Sequence, residues 1–96
     1  MMELIISGYF EVAESDAPTV AGAFEEVTAE TAREQGCLAV TASRRDDAPG
    51  VFHVYSRWAS DADFEHHMTL PHTLAFFDIV RPLVTRPSDL VKLRPL

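Results

Sequence analysis

The side chains best able to do chemistry lie in the second half of the chain. Ser56 and Trp58 are followed by His66, His67 and His72, and His53 stands a little earlier. Histidine is the natural general base, because its unperturbed pKa of about 6.5 lies near working pH. A Trp N–H or a Ser hydroxyl can stabilise the oxyanion left when a substrate hydroxyl gives up its proton. Ser56 and Trp58, two apart on a strand, share a face with Phe52 and Val54. Phe64, Phe76 and Phe77 can complete an apolar box around a planar ring. Each group also has a plainer use: Trp58 as a core anchor, the imidazoles at helix ends, the Phe set as packing.

Metal ligation is the competing use of four histidines. His66, His67 and His72 lack the i, i+4 spacing that sets two imidazoles on one helix face, so the spacing predicts no metal site. No Gly-rich phosphate loop stands at a strand-to-helix junction, so no flavin or nucleotide cofactor is expected either. The lone Cys37 has no disulfide partner and no C-x-x-C spacing, and reads as a small buried residue in a reducing compartment.

The elements that must position these groups follow from pattern. Leu4 to Phe10 is short, apolar and rich in β-formers, a first strand in which Gly8 marks a bulge or a close approach. Ser15-Asp16-Ala17-Pro18 starts a helix whose apolar stripe is Val20, Phe24 and Val27, and Gly36 is placed to end it. Glu26, Glu30 and Glu34 sit four apart and read as a solvated helix surface. Cys37 to Ser43 and Val51 to Trp58 read as two strands joined through Pro49-Gly50, an antiparallel hairpin. A short helix begins at Ser60-Asp61 and carries Phe64 to Met68 before Leu70-Pro71 breaks it. A further helix spans about 72 to 83, with Phe76, Ile79, Val80 and Leu83 on one stripe, and 89 to 94 reads as a last strand. The order β-α-β-β-α-β, with its second helical region split, is that of the ferredoxin-like plait, an α+β fold. Residues 1–96 form a single domain on this reading, without repeat or linker.

Composition narrows the partners. Eight Lys and Arg against fifteen Asp and Glu leave a net charge of −7, which argues against nucleic acid and against a basic membrane-surface helix. No apolar run approaches the roughly 20 residues of a membrane span, and Met1-Met2-Glu3 lacks the basic start of a signal peptide, so a cytoplasmic protein is expected. The helices can cover only one face of the sheet. The other carries Val51, His53, Tyr55 and Arg57, and a core this small gains most if a second copy packs there. A homodimer through the open sheet face is therefore expected.

Several of these residues carry a resemblance. Glu34-x-Gly36-Cys37, Trp58, Phe64, His67-x-x-x-Pro71-His72 and Phe76 resemble the antibiotic biosynthesis monooxygenase (ABM) family, and its small quinol-monooxygenase branch in particular. The resemblance implies a dimeric α+β barrel with a pocket between the sheet and the second helical region. It also implies oxygenation of a small phenol, anthrone or quinol by O₂ with neither metal nor flavin. His67, His72 and Trp58 would be the catalytic set, and Phe52, Val54, Ser56, Phe64, Phe76 and Phe77 the substrate-binding one. The family usually has Glu where Ser56 stands, and this departure favours an alternative: a non-catalytic dimeric small-molecule-binding or accessory protein of a biosynthetic pathway.

Overall fold

The computed structural model describes residues 2–96. Its elements are β1 (Leu4–Glu11), α1 (Ala17–Thr31), β2 (Cys37–Arg44), β3 (Val51–Trp58), α2 (Asp61–His67), α3 (Pro71–Val80) and β4 (Asp89–Leu93). The strands form one antiparallel sheet in the order β2-β3-β1-β4. This is the ferredoxin-like α+β plait that the element order predicts, with the second helical region divided as expected. Ser60 caps α2 by accepting from the Asp63 amide at 3.2 Å. Among the described residues no helix is long and apolar enough to cross a membrane.

Strand register decides which side chains meet the helices. Leu4, Ile6, Gly8 and Phe10 of β1 stand opposite Trp58, Ser56, Val54 and Phe52 of β3, and all point to the helix-covered face. Two apolar clusters form beneath the helices. One gathers Phe10, Val20, Phe24, Phe52, Phe76 and Val80; the other holds Leu4, Ile6, Trp58 and Phe64. Gly8 lies between them, and it marks a close approach, because β1 pairs in register through it. A Cβ there would come within 2.8 Å of Leu90 Cδ1 and 3.3 Å of Val54 Cγ1.

Two helix ends differ from the sequence expectation. Helix α1 stops at Thr31, before Gly36, and the chain continues through turns in which the Glu34 amide bonds Thr31 O at 3.0 Å. Gly36 instead serves the entry to β2. Its φ of +86° suits glycine, a Cβ there would strike the Asp63 carboxyl, and its carbonyl accepts from the Ala59 amide at 2.8 Å. The last helix ends at Val80, because Pro82 leaves only a 3₁₀ turn beyond it, and Ile79 lies outside the core stripe at 42% exposure.

The second sheet face has no helix on it. Tyr9, Tyr55, Val91 and Leu93 are all exposed there, around a hydrogen bond of 2.9 Å between Ser7 Oγ and His53 Nε2. We propose that a second copy of the chain covers this face. Tyr55→Asp would place a charge inside that contact, and should weaken association by several kcal/mol. Sedimentation should show a dimer for the native protein at micromolar concentration; a monomer would refute the interface.

Candidate active site

The site is built at the bend between α2 and α3. His67 is the last residue of α2, Leu70 is extended, and Pro71 opens α3, so His72 arrives one position into the new helix. Across from them lies the turn after α1. There Glu34 leaves the periodicity of Glu26 and Glu30, which remain exposed, and points inward with its side chain only 8% exposed. Its assignment to the solvated stripe is thus corrected, because the helix that would have carried it outward has already ended.

One carboxylate oxygen serves both imidazoles. Glu34 Oε2 stands 2.7 Å from His67 Nδ1 and 2.6 Å from His72 Nε2. A carboxylate only accepts hydrogen bonds, so each of those nitrogens carries a proton. Thr73 Oγ1 adds a weaker contact to His67 Nδ1 at 3.3 Å. In a neutral His67 the lone pair is then on Nε2, which no described residue engages. This is the base-plus-orienter geometry in which a carboxylate fixes the tautomer of an imidazole. The other carboxylate oxygen, Oε1, is buried and has no hydrogen-bond partner among the described residues.

The His67 ring forms part of the wall of an apolar cavity of about 70 Å³. It leans on Trp58 with ring centroids 4.8 Å apart, and Trp58 meets Phe64 edge-on at 5.9 Å. The Trp58 N–H is already committed, donating to Ser56 Oγ at 3.0 Å. Because Ser56 accepts from the indole, its own O–H is left free to donate, and Ser56 is on the cavity wall. The free donor on the cavity wall is therefore the Ser56 hydroxyl, with the Trp58 indole bonded behind it.

Of the residues singled out in sequence, Val54, Ser56, Trp58, Phe64, His67, Phe76 and Phe77 line this one cavity. Two do not. Phe52 is core, stacked on Phe24 at 5.5 Å, because its end of β3 lies beneath α1. His72 lies on the far side of Glu34 and borders a separate outer groove with Glu26, Glu30 and Ile79. His66 is exposed, and His53 is on the open sheet face. The spacing argument that kept the histidines apart fails for His67 and His72. Together with Glu34 they offer three ligand atoms within 4.8 Å of one another. Sequence reasoning missed Glu34 and Thr73 as members of the site. The signal available was Gly36, which shows that the chain turns sharply just after Glu34.

Fold and site together define a small α+β domain with an apolar cavity under its helices and one oriented imidazole on the wall. The family model described as antibiotic biosynthesis monooxygenase matches residues 4–79, and the chain belongs to that family. Membership supports a monooxygenase role in general terms. The chain is similar to a putative antibiotic biosynthesis monooxygenase from Nitrosomonas europaea, with a TM-score of 0.94, 20% identity and coverage of 99% of this chain and 91% of that one. It is also similar to Rv0793 from Mycobacterium tuberculosis (0.91, 22% identity, 98% and 95% covered). PA3566 from Pseudomonas aeruginosa is another (0.92, 21% identity, 100% and 96% covered). At these identities the likeness is one of fold. Among curated proteins none matches the chain.

Cys37 reports on the Glu34 charge. Its thiol pKa is raised, first by burial and then by the nearby Glu34 carboxylate, against a smaller opposing effect of a backbone hydrogen bond with Ala39. A raised pKa means less thiolate at a given pH, hence slow alkylation. Glu34→Gln removes the charge and keeps the shape, so the thiol pKa should fall and alkylation by iodoacetamide at pH 8 should quicken a few fold. An unchanged rate in a folded variant would show that Glu34 carries no charge in the native site.

Proposed function

We propose that the protein is a cofactor-independent monooxygenase that oxidises a small aromatic phenol or quinol with O₂. One observation carries the reading: His67 is held by a buried carboxylate through Nδ1 while its ring borders the apolar cavity beside Trp58. Such chemistry needs a base that takes the substrate's hydroxyl proton, because the anion, and not the phenol, gives an electron to O₂. It also needs a dry enclosure for the intermediates. His67 Nε2 accepts the proton, and Glu34 stabilises the imidazolium that results. The Ser56 hydroxyl donates to the phenolate oxygen. The substrate then supplies all four electrons: one oxygen atom ends in a new C–O bond and the other leaves as water.

Size favours a single ring. A cavity of about 70 Å³ is about half the ~150 Å³ of an apolar cavity that takes benzene. A monocyclic quinol therefore needs some give from wall residues such as Met68 and Phe77, and a three-ring anthrone needs far more.

Incubating the protein with hydroquinones, naphthols and anthrones while recording O₂ uptake tests the reading. Turnover should be greatest for monocyclic quinols and should survive chelator treatment. Activity abolished by a chelator and restored by iron or zinc would overturn the cofactor-free reading. His67→Ala should lower kcat by roughly 10²–10⁴-fold. No turnover with any member of the panel, alongside tight binding of the same compounds, would favour the non-catalytic binding protein.

A further inference from the structure

The geometry points to a second use of the same three side chains: Glu34, His67 and His72 form a binding site for a divalent transition-metal ion of the zinc and cobalt type. Two imidazole nitrogens and one carboxylate oxygen are the donor set such ions prefer, and all three atoms lie within 4.8 Å of one another. Ligands at ~2.0–2.2 Å from a tetrahedral ion stand about 3.3–3.6 Å apart. The present gaps of 2.7 Å and 2.6 Å to Glu34 Oε2 need therefore open by about 0.6–1.0 Å, within reach of side-chain rotation.

Independent observations point to a cation here. Glu34 Oε1 is buried with no hydrogen-bond partner, and no Lys or Arg among the described residues pairs with this carboxylate. A buried carboxylate with one oxygen unsatisfied is costly unless something positive answers it. A metal ion bound by both oxygens would do so. There is also a way in. His72 keeps 23% of its side chain exposed and borders the outer groove with Glu26 and Glu30, whose charges favour cations at its mouth. Neither His66 nor His53 joins the set, the first being exposed and the second on the opposite sheet face.

Occupancy has a defined consequence for the cavity. Coordination through Nδ1 of a neutral His67 places its proton on Nε2. His67 Nε2 is thus an acceptor in the metal-free site and a donor in the metal-loaded one. On the reading proposed above this silences the base, but binding itself does not depend on that reading.

Titration calorimetry of Zn²⁺ into chelator-stripped protein, without substrate, tests the site. One ion should bind per chain, and His72→Ala should weaken it at least about 100-fold, since even outer partners of metal ligands are worth 10–100-fold. Co²⁺ should give the visible absorption of an ion held by nitrogen and oxygen ligands, lost in Glu34→Gln. His66→Ala, a control for adventitious surface binding, should change neither. Zinc should also raise the melting temperature of the native protein and not that of a folded His72→Ala variant. Binding absent from the native protein, or equally strong in His72→Ala and Glu34→Gln, would overturn the proposal.

Discussion

A single buried carboxylate oxygen organises this molecule's interior. Glu34 Oε2 accepts from an imidazole at the end of one helix and from another at the start of the next. Removing a carboxylate from water is costly, and two charge-assisted hydrogen bonds are what offset that cost. The surrounding chain is arranged to deliver it. Helix α1 ends at Thr31, so that Glu34 can turn in, and Gly36 at φ +86° sends the backbone out again into β2. On the other side Pro71 starts α3 with Leu70 extended, which reverses the chain and sets His72 against the same oxygen. Without that shared acceptor the α2–α3 bend would have no polar tie to the turn after α1.

The same interaction divides the surroundings into an inside and an outside. On the inner side His67 stands against Trp58 and shares a cavity wall with Ser56 and a set of Phe and Val side chains. On the outer side His72 faces a groove with two glutamates. Trp58, fully buried, keeps its indole on the ring of His67 and its N–H on Ser56, so one residue of β3 touches both the imidazole and the hydroxyl. Strand pairing sets that arrangement, because Leu4 and Ile6 of β1 lie directly opposite Trp58 and Ser56. The sheet supplies rigidity and the helix bend supplies the titratable groups.

Much of this was legible in the residues. The alternation of Phe52, Val54, Ser56 and Trp58 fixes a strand face, and the Ser60 cap and Leu70-Pro71 break place the two short helices. Seven of the nine side chains assigned to the site do line one cavity. What was hidden depended on tertiary contact. Glu34 continues a four-residue acidic repeat, and only the end of α1 three residues earlier reveals that it faces inward. His67 and His72 are five apart, a spacing that separates them on one helix and brings them together across a bend. Phe52 shares a strand face with Trp58, yet six residues along β3 carry it under α1 and out of the cavity.

The tautomer of His67 is the most direct measure of the central claim that Glu34 prepares this imidazole to accept a proton from the cavity. Long-range ¹H–¹⁵N correlation of the histidine rings in metal-stripped protein at neutral pH reads it without any substrate. The geometry predicts a proton on Nδ1 and none on Nε2 for His67, with the Nδ1 resonance shifted downfield by its short contact with Glu34. A His67 protonated on Nε2, or one whose spectrum is unchanged in Glu34→Gln, would contradict it.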